Sequence, residues 1–201
     1  MTKQVSFTRM DEGTFEDYQM LAELEHDYCA MTADRILAQL AMQAEDTMTG
    51  YKITRLEHGL QSAARAEADG ADIDWVVAAL IHDIGDGLSP QNHDRMAAEI
   101  IRPFVREEVS WVVEKHGIFQ MKYYGHHYGW DADKREEYRD NPYWHLALIF
   151  ANGGIKHPLT LITRCLTSII LPRNCVKSLA VRLGMTRISC RGWRKACPRL
   201  R

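Results

Sequence analysis

His82 and Asp83 directly follow seven apolar or small residues, Trp75 to Ile81. A carboxylate at the end of so apolar a run is costly unless it is paired or bound to a cation. Three further histidines stand at helical positions or helix ends nearby: His58 in LEHGL, His93 just after Asn92, and His116 in WVVEKHG. Imidazole and carboxylate together suit zinc, iron, manganese or nickel better than calcium or magnesium. The chemistry these residues could do is therefore that of a divalent transition metal. Any one of the histidines alone reads as well as a hydrogen-bonded core or surface residue.

The elements that must carry them read as consecutive helices. Thr14 with Asp17 three residues on opens a first helix, carrying Tyr18, Leu21, Leu24 and Tyr28 on one face. Thr32 opens a second, with Ile36, Leu37, Leu40 and Ala41. A third runs through Leu56, Leu60, Ala63, Ala64 and Glu67 to a stop at Gly70. A fourth starts after Asp72 or Asp74 and, being almost uniformly apolar, is the central buried helix. Asn92 caps a fifth that ends at Pro103, and residues 104–116 make a sixth closed by Gly117. No stretch alternates with period two over a useful length, so the expected class is all-α.

The 201 residues, 46% apolar and 26% charged with a net charge of -2, suffice for one globular domain and exclude fibrous or wholly disordered classes. No run of 18 apolar residues occurs and acids pervade the first 30 positions, so neither a membrane span nor a secretory signal is expected, and a cytoplasmic location is. Four of the five cysteines (Cys165, Cys175, Cys190, Cys197) lie beyond residue 150, without a CxxC pattern or a paired framework.

His58, the His82/Asp83 pair 24 residues on, and the line AALIHDIGD resemble the HD-domain superfamily, in which a helical bundle gathers H...HD...D around one or two metals. Within it, residues 13–150 resemble the mixed-valent di-iron oxygenases that cleave the carbon–phosphorus bond of 1-hydroxyphosphonates. The matching segments are LEHGLQSAARAEADGAD, VVAALIHDIGD, the NH of QNHDRMAAEIIRPFV, WVVEKHGIFQ and YYGHHYGWD. The resemblance implies an HD-domain helical bundle with two iron ions, Fe(II) and Fe(III). His58, His82 and Asp83 would hold the first iron, and Asp83 would bridge to a second completed by His93 and His116. Manganese, zinc or another divalent metal is the alternative. The implied reaction consumes dioxygen and a small-molecule phosphonate and releases phosphate and a carboxylic acid, glycine betaine or glycine. The neighbouring alternative is a metal-dependent phosphohydrolase acting on a phosphomonoester or nucleotide. A third, non-enzymatic reading is a degenerate HD module with an impaired metal site. Asp86 would orient a ligand histidine or cap a helix end. His126 and His127 would contact the phosphonate or support the ligands, with a surface role equally open.

The sequence also departs from these relatives. Where the aminophosphonate-cleaving enzymes carry an iron-occupying tyrosine and an amine-reading acid, Met48 and Tyr51 stand here, and Gln120 replaces the basic residue four positions past the last iron histidine. Lys122 is the nearest cation and a candidate anion contact. Loss of the acid disfavours a primary ammonium, whereas a trimethylammonium group seeks aromatic faces. Tyr51, Tyr123, Tyr124, Tyr128 and Trp130 could supply them, or could be simple packing. Tyr51, Gln120, Lys122, Tyr123 and Tyr124 are thus the candidate substrate contacts.

Two segments follow from composition. Residues 1–150, an N-terminal helical arm (1–50) and the HD domain, hold 14 Lys/Arg and all 27 Asp/Glu, whereas residues 151–201 hold 11 Lys/Arg and no acid. At the body's composition about nine acids would be expected there. The basic residues are scattered among Leu, Ile, Thr and Cys instead of clustered, so neither a membrane nor nucleic acid is expected as a partner. No feature specifies an oligomeric state. The resemblance stops at Phe150, where relatives continue with a stretch like CERWDQxSFDPDY that holds an aspartate ligand, and degenerate codons read one base earlier allow that continuation. A frameshifted, poorly packed tail is the expectation. Ile155 then stands at the missing ligand position, with His157 a conceivable substitute, and activity is expected to suffer.

Overall fold

The computed structural model describes residues 4–45 and 50–152. The expectations for Met48, Ile155, His157 and the acid-free tail lie outside the described residues. Within them the chain is helical throughout, with seven α-helices, four short 3₁₀ turns and no strand. None of these helices is long and apolar enough to cross a membrane.

The first helix, α1 (Phe15–Ala30), begins at a capping box in which Thr14 accepts from the Asp17 backbone and Asp17 from that of Thr14. The second, α2, spans Thr32–Met42. A second capping box, Thr54 with Glu57, starts α3 (Arg55–Ala68), one turn before His58. The Asp72 carboxylate caps α4 (Ile73–Ile81) by accepting from the amides of Asp74 and Trp75. Next come α5 (His93–Ile101), α6 (Glu107–Tyr124) and α7 (Trp144–Ala151).

The hub is α4, whose residues Val76 to Ile81 are all buried. Full burial of each larger aliphatic side chain there stabilises the fold by about 1.5–3 kcal/mol. Leu37 and Leu40 of α2, Leu60 and Ala63 of α3, Ala97, Ala98 and Ile101 of α5, and Val109 and Val113 of α6 close around it. A second cluster, largely aromatic, joins α6 to α7, with Phe119 and Trp144 rings 4.9 Å apart. Trp75 and Phe150 pack against both clusters, so the two are continuous.

Two sequence expectations need correction. Gly117 does not close the sixth helix: α6 continues to Tyr124, because Val112, Val113, His116 and Phe119 are buried along one continuous face, and packing outweighs glycine's low propensity. Asn92 precedes α5, but its side chain makes no capping hydrogen bond, being engaged by the Ser89 hydroxyl. The fifth helix does end before Pro103, with Ile101 its last residue and Arg102 its C-cap.

Candidate metal centre

Asp83 lies just beyond the C-terminal end of α4, and four imidazoles from four places in the chain converge on it. His58 Nε2 is 3.5 Å and His82 Nε2 3.3 Å from Asp83 Oδ2. On the other oxygen, His93 Nε2 is 3.4 Å and His116 Nε2 3.3 Å from Oδ1. His58, His82 and Asp83 form one group of potential ligand atoms, and Asp83, His93 and His116 form another. One carboxylate is common to both.

Two glycines make this convergence possible. A β-carbon on Gly59 would stand 2.4 Å from the Leu80 carbonyl, so only glycine lets α3 lie against α4 closely enough to set His58 beside His82. At Gly85 a β-carbon would stand 2.8 Å from the His93 carbonyl, so glycine there lets the start of α5 approach the Asp83 turn and deliver His93.

The rings are held in a defined sense. His82 Nδ1 lies 2.8 Å from the carbonyl of Ala79, His93 Nδ1 3.0 Å from that of Pro90, and His116 Nδ1 2.7 Å from that of Val113. In each case the partner is three residues earlier. A carbonyl only accepts, so in each ring Nδ1 carries the hydrogen and, in the neutral ring, Nε2 presents a lone pair. Burial pushes the His82 imidazole down to about 4, which keeps it neutral. Burial opposes ionisation of Asp83, yet the imidazoles of His82, His116 and His58 outweigh it and hold its carboxyl well below the ordinary range. Neutral rings would turn Nε2 lone pairs on the ionised carboxylate at 3.3–3.4 Å; burial resists a relieving proton on His116, yet the Asp83 carboxylate outweighs it and raises that imidazole above its ordinary value. Such a set of acceptors fits a divalent cation, which would satisfy all of them at once.

Arg55 and Gln43, neither singled out in the sequence, brace Asp83, the first at its carboxylate and the second at its backbone. Arg55 Nη1 is 3.3 Å from Asp83 Oδ2, and its Nε contacts Asp86. Gln43 Nε2 donates to the Asp83 carbonyl at 3.0 Å. Arg55 precedes His58 by three residues on α3, a spacing that places both on one helix face and could have flagged it; nothing in the sequence marks Gln43. Asp86 does reach a ligand candidate, with Oδ1 3.4 Å from His93 Nδ1, and burial raises its carboxyl above the ordinary value.

The remaining candidates scatter. Gln120 lines a cavity of about 310 Å³ that opens beside His58 and His82 and is walled by Trp75, Leu146, Ile149 and Phe150. Arg65 and Asp69 also reach it. Lys122 pairs with Asp133, and Tyr123 contacts Asn152; neither lines that cavity. His126 and His127 are exposed on the 3₁₀ turn Gly125–Tyr128, 3.9 Å apart ring to ring and outside both ligand groups. Tyr124, Tyr128 and Trp130 do gather on the surface, with Tyr128 stacked on Trp130 at 4.9 Å and Tyr124 edge-on to both. Tyr51 is instead covered by the Arg55 guanidinium, 5.0 Å from its ring centre.

Residues 55–148 match the HD domain family. No curated protein matches the chain. The matched segment opens with α3, closes within α7 and contains all five converging ligand candidates, which identifies residues 55–148 as an HD domain with a candidate His/Asp metal site.

Proposed function

We propose that the chain is a metal-dependent HD enzyme whose centre holds two cations, with His58, His82 and Asp83 at one and Asp83, His93 and His116 at the other. The observation that carries this reading is the division of labour at Asp83, whose two oxygens each face their own pair of imidazoles. A carboxylate shared in this way balances charge between paired cations. Iron in that position would supply Lewis acidity and the electrons for oxygen chemistry. The reaction we favour is cleavage of the carbon–phosphorus bond of a 1-hydroxy-2-(trimethylammonio)ethylphosphonate or its amino analogue by dioxygen, giving phosphate and a carboxylic acid.

The chain's own groups would prepare the site. The Nδ1 hydrogen bonds of His82, His93 and His116 fix the rings, and Gln43 holds the Asp83 backbone. The Phe150 ring stands edge-on to His82 and His116, at 5.7 and 6.3 Å, and shields that side from water. Gln120 would contact the oxyanion of a substrate in the cavity, where Trp75 and Phe150 are the aromatic faces that would attract a quaternary ammonium, Tyr124, Tyr128 and Trp130 lying outside its lining. No acid occurs between Asp140 and residue 201, so that stretch offers the His58/His82 half no further carboxylate, and we expect low turnover.

A phosphohydrolase is the second reading, favoured by the roomy, largely apolar cavity, which exceeds what a two-carbon phosphonate needs. The test loads the chain anaerobically with ferrous iron, then admits air and the trimethylated hydroxyphosphonate. Oxygen uptake matched by phosphate release supports the oxygenase. Phosphate released from a phosphomonoester without oxygen uptake supports the hydrolase. Elemental analysis of the Asp83→Asn variant is expected to show loss of bound metal from both halves. Retention of two equivalents would overturn the shared-carboxylate reading.

A further inference from the structure

Resting on the two-cation reading, we infer that the halves of the centre are unequal, that the His93/His116 half fills before the His58/His82 half, and that Arg55 is the positioning residue that sets the order. Two independent observations lean the same way. First, the Arg55 guanidinium lies 3.3 Å from Asp83 Oδ2, the oxygen that serves His58 and His82, whereas among the described residues Oδ1 has the His93 and His116 imidazoles within salt-bridge distance and no guanidinium or ammonium. A cation entering the first half must share its carboxylate oxygen with a positive charge and meet that charge at close range. Asp86 takes part of the guanidinium's charge through its contact with Arg55 Nε, but it also faces His93 Nδ1 on the second side.

Second, both rings of the second half are locked by Nδ1 hydrogen bonds to main-chain carbonyls, while in the first half His82 alone is so held. Partners that orient a ligand imidazole raise its basicity and remove the cost of ordering it on binding. Exposure separates the halves little, His58 and His82 being 32% and 4% exposed against 25% and 1% for His93 and His116. The metal affinity of this chain is therefore expected to be split, one cation held firmly between α5 and α6 and the other held weakly between α3 and α4.

Anaerobic titration of the full chain with Co(II), read by calorimetry and visible absorption, tests this without reference to turnover. The wild type is expected to show a tight and a weak phase separated by at least about tenfold. His58→Ala should keep the tight phase and His93→Ala should abolish it. Arg55→Gln should narrow the gap to under about threefold by strengthening the weak phase, and the charge-retaining Arg55→Lys should preserve it; a merely structural Arg55 would shift both phases together. If a single equivalent binds, its survival in His58→Ala and loss in His93→Ala supports the same order. Loss of the tight phase in His58→Ala with survival in His93→Ala, or two equal phases in the wild type, overturns the inference while leaving the two-cation reading intact. Absence of any Co(II) binding to the wild type overturns both. Should Arg55→Gln lose its helical circular dichroism, the two histidine variants decide alone.

Discussion

In α4, nine residues long, everything from Val76 to Ile81 is buried, while in α1, sixteen residues long, Asp17 alone is. The contrast is one of partners. Helices α2, α3, α5 and α6 enclose α4, so each of its faces meets another hydrophobic surface. Helix α1 packs on α2 and is tied to its own N-terminal lead, where Asp17 accepts from the amide and hydroxyl of Ser6 as well as from Thr14. Those hydrogen bonds hold the Asp17 carboxyl down to about 2, led by the Ser6 amide. Leu24 and Tyr28, although spaced for an inner face, remain 47% and 63% exposed. A polar group at the end of α4 therefore sits where solvent cannot rescue it, and one on α1 sits where local hydrogen bonds suffice. Chemistry that depends on desolvated ligands has a place only at the former.

Three measurements sharpen that difference. The largest effect is expected at low pH, through His82. Its imidazole is lowered from 6.5 to about 4 by burial, so the unfolded chain takes up a proton before the folded one does. Stability of the metal-free protein should be highest above about 6.5, fall as pH drops, and level off near 4, a loss of roughly 3 kcal/mol. Urea midpoints of wild type and His82→Asn measured between pH 7 and pH 4 check this, since the variant should lose the His82 part of the slope and keep what His58, also lowered by burial, contributes. A curve of equal slope in both would remove His82 as the cause.

The next effect lies at the contact of α3 with α4. Gly59→Ala forces a methyl against the Leu80 carbonyl and should cost about 2 kcal/mol in chemical denaturation, and it should also weaken metal binding by displacing His58. Unchanged stability would mean that the helices separate freely, contrary to the buried fit of Ala63, Leu60 and α4. The smallest effect belongs to α1, where Leu24→Ser should shift stability by less than about 0.5 kcal/mol, because the side chain is already in water. A large loss there would reveal a partner surface for α1.

Much of the centre was legible in the amino-acid sequence because its polarity contradicts its surroundings. His82 and Asp83 end an apolar run, and the pattern of α3, α4 and α6 places His58 and His116 on inward faces. The capping residues Thr14 and Asp72 announced two helix starts correctly, since their side chains act within three residues. What was not legible depends on contacts between elements. Helix α7 reads WHLALIFA, apolar except for the exposed His145, and a single polar residue does not betray a period. Arg55 looks like any charged residue in a first helical turn until α4 brings Asp83 and Asp86 to it. The Tyr and Trp residues suggested one aromatic surface, but Tyr123 and Tyr51 are diverted by Asn152 and Arg55, contacts that no spacing rule encodes.

The three imidazoles anchored to carbonyls three positions behind them carry one more implication. Because each anchor is written into a single turn of backbone, the aim of the ring travels with that turn and needs no distant neighbour to set it. A protein engineer could transplant such four-residue units onto another helical scaffold and inherit the ligand bearings ready made, leaving only the spacing between helices to be solved.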